Sequence, residues 1–191
     1  MPTTRFERLI QNAGFHLMKA QRAEPDNSGD ALEQLYSRPG FMIRRAHQIS
    51  IDIFIEASRA LDITPSQYGV MFVLRHSGPS SQIGIARLLG LDRSTTALVV
   101  KNLTERGYLT KAQSETDARK TEIMLSAEGR RVLRRADVLA DRSKEALMAA
   151  FSKDEAAQFV SLLSKFVAHF NDTTRVSISN GASEVTLASE T

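Results

Sequence analysis

Six side chains between positions 93 and 102 could together make hydrogen bonds and apolar contacts with the edges of DNA base pairs. If residues 93–106 form a helix, the side chains expected on its outward face are Arg93, Ser94, Thr95, Leu98, Lys101 and Asn102. Arginine and asparagine can make paired hydrogen bonds to base edges in the major groove, hydroxyl groups reach bases or phosphates, and an exposed leucine can contact a thymine methyl group. An ordinary solvated helix face has a similar composition, so this set alone leaves both interpretations open.

A second group of polar residues lies in the segment 114–120. Arg119 and Lys120 are near the tip of a predicted hairpin, where a guanidinium group suits the negative potential of a narrow minor groove. Asp117 would be repelled by phosphates, so we expect it to orient Arg119 through a charge-assisted hydrogen bond. The alternative for this pair is a surface salt bridge of little energetic weight.

A third set of residues could bind a small aromatic carboxylate. Guanidinium groups can bind the acid group in a bidentate manner while aromatic and aliphatic side chains surround the ring. The candidates, drawn from two predicted helices, are Arg44, Arg45, His47, Gln48, Tyr68 and Phe72. Salt bridges at a subunit interface are the alternative role for the basic members of this set.

Two short helices are predicted to position the first set of side chains. Ser81 can cap a helix that stops at the left-handed position of Gly90, and Asp92 can cap the next helix, residues 93–106, which ends at Gly107. The residues expected on the inward face of the second helix are Thr96, Val99, Val100 and Leu103. Two helices joined by a glycine-containing turn indicate a helix-turn-helix.

Residues 108–113 and 120–125 are predicted to pair as a β-hairpin, because the second segment alternates Thr121, Ile123 and Leu125 with Lys120, Glu122 and Met124. A hairpin that directly follows a DNA-recognition helix is called a wing. Its presence here favours DNA binding over the interpretation of a solvated helix face.

The remainder of the chain is predicted to be mostly helical, with helices over residues 41–61 and 65–76, a long helix from Ser126 to about position 151, and a last helix to about position 170. Residues 49–55 alternate like a strand, but the longer helical stripe around them favours a helix. Residues 152–155 form a capping-box pattern at the start of the last helix. That helix carries a wide apolar face: Ala156, Phe159, Val160, Leu163, Phe166, Val167 and Phe170.

Both ends of the chain differ from this central region. Apolar residues between positions 6 and 17 recur at helical spacing and predict an amphipathic helix, which a polar linker at residues 24–29 follows. We expect this helix to lie over a dimer interface, the alternative being a frayed end without function. The Ser/Thr-rich tail from position 173 has little apolar content and is expected to be flexible.

The order of these features resembles the MarR family of bacterial winged helix-turn-helix transcription regulators. The resemblance covers about residues 41–172, and the residues that carry it are Asp92-Arg93-Ser94-Thr95, Leu103, Gly107, Asp117-Ala118-Arg119, Ile123, Leu125, Ser126 and Gly129. Tyr108 departs from the pattern, because the family often has a smaller aliphatic residue there, and this affects the base of the wing.

The resemblance implies a mainly α fold with a small β-hairpin wing, in which a winged helix-turn-helix is joined to a helical dimerisation region. The expected segments are an N-terminal helical extension and linker (1–38), a dimerisation helix (39–62), the DNA-binding domain (63–125), C-terminal dimerisation helices (126–172) and a flexible tail (173–191). Family members are obligate homodimers whose DNA affinity is often altered by a small ligand, and many similar regulators respond to phenolic or benzoic acids. Packing of the last helix within one protomer is the alternative to dimerisation.

The charge distribution agrees with a DNA-binding role. The whole chain has a formal net charge of +3, but residues 81–135 hold 11 Lys and Arg against 6 Asp and Glu, so this part carries +5 and the rest −2. Such a local excess attracts phosphate and predicts binding that weakens steeply with salt. The partners expected are double-stranded DNA, a second copy of the chain and a small-molecule effector.

Other classes of function lack their signatures in this sequence. The chain has no cysteine, which excludes disulfides, thiol catalysis and cysteine-based peroxide sensing, and its four histidines show no metal-ligand spacing. We expect neither a metal nor another cofactor, no membrane span or signal peptide, and a cytoplasmic location. An enzyme is not expected, because no nucleophile, paired acidic motif or phosphate loop is recognisable.

The predicted function is therefore a homodimeric repressor that a small aromatic acid releases from a palindromic operator. A ligand-independent architectural DNA-binding protein is the alternative. The two differ in whether any small molecule changes the affinity for DNA.

Overall fold

The computed structural model describes residues 27–113, 121–174 and 176–178. Its helices are α1 (Asn27–Tyr36), α2 (Pro39–Ser58), α3 (Pro65–Ser77), α4 (Gln82–Leu89), α5 (Arg93–Glu105), α6 (Ala127–Met148) and α7 (Lys153–Phe170). Strands β1 (Leu109–Gln113) and β2 (Thr121–Leu125) form an antiparallel hairpin, and short 3-10 turns cover Arg59–Leu61 and Asn171–Thr173. The predicted fold class, mainly α with a small hairpin, is confirmed.

Side-chain caps fix the beginnings of five of these helices. The cap residue accepts the backbone N–H of the residue three positions later in each case: Thr64 from Gln67, Ser81 from Gly84, Asp92 from Thr95, Ser126 from Gly129 and Ser152 from Glu155. Such caps satisfy backbone donors that have no partner within the helix. The capping box at residues 152–155 is confirmed, and Thr64 and Gln67 form a second one.

Helix α3 lies at the centre of the region between α2 and α6, where it contacts α4, α5, α6 and β2. Val70 and Met71 on α3, Ile85 on α4 and Leu103 on α5 have no exposed surface. Burial of this apolar surface fixes the position of α5 relative to the rest of the domain, because burying each such side chain is worth roughly 1.5–3 kcal/mol. The predicted stop at Gly90 is confirmed, since this residue has a φ of 62° between α4 and α5.

The wing is held to the core at its base. Leu109 pairs with Leu125, and both side chains are buried. A third segment joins the hairpin, because Ser80 exchanges backbone hydrogen bonds of 3.0 and 2.9 Å with Ile123 of β2. The connection between α3 and α4 therefore supports the wing directly.

Helices α2 and α6 pack side by side, and α3 contacts α6 as well. Helix α7, by contrast, packs little against the rest of the described chain. Apart from the 3-10 turn that follows it, α7 makes few contacts with the other described elements, and its large apolar side chains are between 37% and 59% exposed.

Several element boundaries differ from the sequence-based expectations; for example, α2 covers Pro39–Ser58 rather than residues 41–61, and β1 begins at Leu109 rather than at position 108. Helix α1 covers Asn27–Tyr36 and so includes part of the segment 24–29 that was expected to be a linker. Helix α6 ends at Met148, earlier than expected, since the chain must turn before the cap at Ser152. After α7, the backbone of Ile178 is bonded to the side-chain amide of Asn171 at 2.8 and 3.1 Å, so this part of the expected flexible tail is held in place.

The amphipathic helix expected between positions 6 and 17 lies outside the described residues. Among the residues that are described, none of the helices combines the length and the apolarity needed to cross a membrane.

Candidate nucleic-acid interface

Helix α5 presents the predicted polar face to solvent and buries the opposite one. Thr96, Val100 and Leu103 are at most 1% exposed, and Val99 is partly buried against the same core. Leu98, by contrast, is 68% exposed. A leucine that exposed on a helix otherwise fixed by the core is available for contact with another molecule, such as a thymine methyl group.

The charged and amide side chains on the outward face differ in how they are bound. Arg93 is exposed, and among the described residues Lys101 makes a 3.8 Å ion pair with Glu105, in which both side chains are more than 60% exposed. Such a pair is worth little and would not hold Lys101 away from a phosphate. Asn102 accepts a 2.8 Å hydrogen bond through Oδ1 from Nε2 of Gln67 on α3, which leaves its amide group oriented by the core.

The two hydroxyl groups at the start of α5 are bound to the helix cap. Oγ of Ser94 donates to Oδ1 of Asp92 at 2.5 Å, and Oγ1 of Thr95 donates to Oδ2 at 2.6 Å. The backbone N–H of Thr95 also donates to Oδ1, at 2.8 Å. Hydrogen bonds from the Ser94 and Thr95 hydroxyls, followed by those from the backbone, hold the pKa of the Asp92 carboxyl well below its usual range. Asp92 is therefore an anion with its acceptors directed at the helix that it caps.

The tip of the wing, which contains Asp117, Arg119 and Lys120, lies outside the described residues. The strands on either side of it are described, and their register places Gln113 opposite Thr121. The described strand ends on either side of residues 114–120 are therefore adjacent. Minor-groove contacts by Arg119 and Lys120 stay predictions.

Arg106, which the sequence analysis did not select, joins the end of α5 to the chain preceding α3. Its guanidinium donates to the backbone carbonyls of Asp62 and Leu61, at 2.5 and 3.0 Å, and lies 4.9 Å from the centre of the Tyr108 ring. Tyr108 is thus the stacking partner of Arg106 at the base of the wing, which accounts for an aromatic residue at a position where a smaller one was expected.

The candidate ligand residues on α2 are all exposed. Nη1 of Arg44 donates to Oε1 of Gln48 at 3.1 Å, and Nη1 of Arg45 lies 3.5 Å from the same oxygen, while His47 is on the same half of the helix. The Arg44 guanidinium also lies over the ring of Phe41, 4.8 Å from its centre. We call Arg44, Arg45, His47 and Gln48 the basic cluster; its two guanidinium groups share the amide oxygen of Gln48 as acceptor.

The other two candidates, Tyr68 and Phe72, belong to an aromatic row on α3. Tyr68 lies 5.7 Å from Phe72 and 5.7 Å from Phe54 of α2, and Phe72 lies 4.4 Å from His76, measured between ring centres. Phe54 is 6 to 10 residues beyond the basic cluster, about 9–15 Å along the helix axis. Within one chain, the six candidates therefore form two groups: the basic cluster on α2, and Tyr68 and Phe72 on α3.

Asp137 and Arg75 are two residues of this region that the sequence analysis missed. Asp137 on α6 accepts hydrogen bonds from the Tyr68 hydroxyl at 3.1 Å and from both terminal nitrogens of Arg75, at 2.5 and 3.2 Å. Burial, and then the hydrogen bond to Asp137, raise the pKa of Tyr68 to about 12. No sequence signal was available, because 62 residues separate Arg75 from Asp137.

These features define a winged helix-turn-helix protein: a capped recognition helix on a buried core, followed by a hairpin and flanked by long helices. Comparisons with known proteins agree. The sequence model of the MarR family matches residues 61–120. The PcaV transcriptional regulator from Streptomyces coelicolor is 32% identical, with a TM-score of 0.62, and the match covers 70% of this chain and 97% of that one. The chain belongs to the MarR family, and it is a transcriptional regulator.

Two further relatives bear on function. A putative transcriptional regulatory protein for the hcr operon of Thauera aromatica is 26% identical over 161 residues, which cover 82% of this chain and 96% of the relative. The transcriptional repressor CouR, solved bound to a 23-mer DNA duplex, is 27% identical with a TM-score of 0.65, and the match covers 70% of this chain and 95% of that one. PcaV has also been solved in complex with its natural ligand, in a structure that is 29% identical, has a TM-score of 0.62 and matches 79% of this chain and 98% of that one.

Proposed function

We propose that this protein is a homodimeric repressor that binds a palindromic operator and is released from it by a small aromatic acid. The observation that carries the proposal is the outward face of α5. It combines two cations, two hydroxyl groups and an exposed leucine on a helix whose other face packs against the core. This is the arrangement that major-groove recognition requires, and the DNA-bound repressor CouR shares the fold.

The apolar face of α7 supports the homodimer. Phe159, Leu162 and Phe166 on this face are 37–59% exposed. The helix that carries them begins with a well-formed capping box, so its first turn is stabilised within the helix itself. An exposed apolar surface of this extent marks an interaction site. A second copy of the same helix would cover it with a matching surface, as two-fold dimers do.

A dimer would place two copies of α5 in successive major grooves, about 34 Å apart along the DNA axis. The corresponding operator is a palindrome with half-sites about one helical turn apart. Bound there, the protein would block RNA polymerase, so repression is the expected effect on transcription.

The effector site is proposed to include Arg44, Arg45, His47, Gln48, Tyr68 and Phe72. The basic cluster supplies donors for a carboxylate, and the aromatic row on α3 supplies a surface for a ring. Because the basic cluster lies on the first half of α2 and the aromatic row meets its second half at Phe54, we propose that a site including both is formed across the dimer. A ligand there would contact α3 and so act on the DNA-binding domain, and the coupling between ligand and DNA would be reciprocal.

A fluorescence-anisotropy titration tests this proposal. The full-length protein is titrated onto DNA from directly upstream of its own gene, at several salt concentrations, with and without a panel of benzoic and phenolic acids. We expect tight, salt-sensitive binding that one acid reverses. Arg93→Ala should weaken binding, whereas Lys144→Ala, which removes the same charge from an exposed position on α6, should not.

Binding that no acid alters would instead support a ligand-independent architectural protein. Absence of binding to any duplex selected from a random pool would contradict the proposal as a whole. Sedimentation of the protein as a monomer at micromolar concentrations would contradict the dimer.

A further inference from the structure

The hydroxyl groups of Ser94 and Thr95 have a defined hydrogen-bond polarity. A hydroxyl group carries a single proton. Ser94 donates that proton to Oδ1 of Asp92, and Thr95 donates its proton to Oδ2 of the same carboxylate. Both oxygens therefore present only lone pairs to a molecule that approaches the start of α5.

The position of the carboxylate is itself fixed by the helix. Oδ1 of Asp92 accepts the backbone N–H of Thr95 at 2.8 Å, and the backbone carbonyl of Asp92 accepts the hydroxyl of Thr96 at 2.8 Å. Rotation of the carboxylate away from Ser94 and Thr95 would leave a backbone donor of the first turn without its cap, which destabilises the helix. The directions of the two hydroxyl groups are thus set before DNA arrives.

This polarity separates the possible targets on DNA. Phosphate oxygens are acceptors, so they cannot bond to a hydroxyl oxygen whose proton is already donated, and the negative charge of Asp92 would repel them. Base edges in the major groove offer donors at two places, N6 of adenine and N4 of cytosine. Only these groups complement oxygens that present lone pairs.

We propose that Ser94 and Thr95 recognise the exocyclic amino group of adenine or cytosine in the major groove, with Asp92 as the positioning residue that directs both hydroxyl protons away from the DNA. This inference rests on the proposed DNA-binding function and specifies part of its sequence preference. Arg93, the neighbouring cation, is suited to the opposite chemistry, the acceptors of guanine. The first turn of α5 thus combines one donor residue with two acceptor residues.

Single-atom changes in the DNA provide the test. The full-length protein first selects its preferred duplex from a random pool. Each adenine or cytosine of a half-site is then replaced by N6-methyladenine or N4-methylcytosine, which keeps the base pair but removes the N–H that faces the groove. We expect methylation at one or two of these positions to lower the affinity of the wild-type protein about 5- to 10-fold, the effect of one lost hydrogen bond. Replacement of adenine by 7-deazaadenine at a sensitive adenine should have little effect.

Variants of the protein show whether these hydroxyl groups are responsible. Ser94→Ala and Thr95→Val keep the shape of the helix surface, and one of them should lose its sensitivity to methylation at the affected base. Asp92→Asn retains an oxygen that can cap Thr95 but adds an amide donor, which frees a hydroxyl proton. This variant should lose its preference for adenine or cytosine at the same position, a change that a purely structural role would not produce.

The outcomes distinguish this inference from the function on which it rests. If a duplex is selected but methylation is equally harmful to Ser94→Ala, Thr95→Val and the wild type, the assignment of the hydroxyl groups is overturned and DNA binding stands. The assignment is also overturned if replacement of a backbone phosphate by a methylphosphonate weakens the wild type but not Ser94→Ala or Thr95→Val, because that result would identify a phosphate contact of the hydroxyl group. If no duplex is selected, both the proposed function and this inference fail.

Discussion

Arg75 and Asp137 join the DNA-binding domain to the long helix that follows the wing. Both terminal nitrogens of the Arg75 guanidinium donate to the Asp137 carboxylate, so that α3 and α6 are linked by a two-point contact. Each side chain is about one-third exposed, and the Tyr68 hydroxyl donates to the same carboxylate. A change in this cluster would alter how α3, and with it α5, sits against α6.

Replacement of Asp137 by asparagine should weaken this link. The variant loses the negative charge that pairs with Arg75, and we expect the free energy of unfolding to fall by about 1–2 kcal/mol, a range suited to a partly exposed pair. Urea denaturation measures the loss. Asp141→Asn removes the same charge one helical turn later, and an equal loss in that control would exclude a specific role for the Arg75–Asp137 contact.

The pKa of Tyr68 predicts a distinct pH dependence. Because this pKa is raised from 10.0 to about 12, the folded protein holds the phenol proton more tightly than the unfolded chain does. The associated stability is complete below about pH 10 and is lost as the pH rises towards 12. In an alkaline series of unfolding measurements, the wild type should therefore lose stability more steeply over this interval than Tyr68→Phe, and parallel curves would contradict the assignment.

Gly129 should be among the least replaceable residues of the fold. A Cβ at this position would lie 2.0 Å from the backbone carbonyl oxygen of Tyr108, and neither backbone segment can move without disturbing the base of the wing. We expect Gly129→Ala to reduce the free energy of unfolding by about 3–5 kcal/mol or to prevent folding. Gly40→Ala is the control, because a Cβ there meets nothing within 4 Å and the helix should gain up to about 1 kcal/mol.

A charge on the apolar face of α7 should abolish the proposed dimer. Phe166 is 45% exposed in the protomer, so Phe166→Glu should leave the folded protomer intact while it introduces an unpaired carboxylate into the interface. Sedimentation velocity at micromolar concentrations should show a monomer for this variant. Ser161→Glu adds the same charge at an exposed position on the opposite face of α7 and should remain a dimer. A dimeric Phe166→Glu protein would place the interface elsewhere.

Arg119→Ala tests the proposed role of the wing. If the guanidinium enters the minor groove, operator binding should weaken by about 1–3 kcal/mol, and thermal stability should be unchanged. The anisotropy assay with the selected duplex gives the affinity. Unaltered binding, with Arg93→Ala still defective, would remove the wing from the mechanism while keeping the recognition helix in it.

Local chemistry explains what the sequence could predict. Caps at Ser81, Asp92, Ser126 and Ser152 act within three residues, and the buried positions of α5 follow helical spacing, so both were visible in the linear chain. The alternation at residues 49–55 was correctly assigned to a helix, because the surrounding apolar stripe outweighs a short strand-like pattern.

Contacts across the fold were not visible in the same way. Gln67 and Asn102, Arg75 and Asp137, and Arg106 with the carbonyls before α3 each join residues more than 30 positions apart. Ser80 pairs with β2 as a single residue, too short a segment to show strand periodicity. Even within α5, the outward position of Ser94 was predictable, but the direction of its hydroxyl proton depends on the geometry of the Asp92 carboxylate.

The packing of α2 against α6 has a consequence for how the protein folds. These helices are neighbours in space, yet residues 59–126, which include the expected DNA-binding domain (63–125), lie between them in the chain. Contacts between such distant segments form late, because the intervening chain must first become compact. Folding of the helix pair should therefore follow folding of the domain that it encloses. A change that destabilises the segment between them should therefore also weaken the packing of α2 on α6.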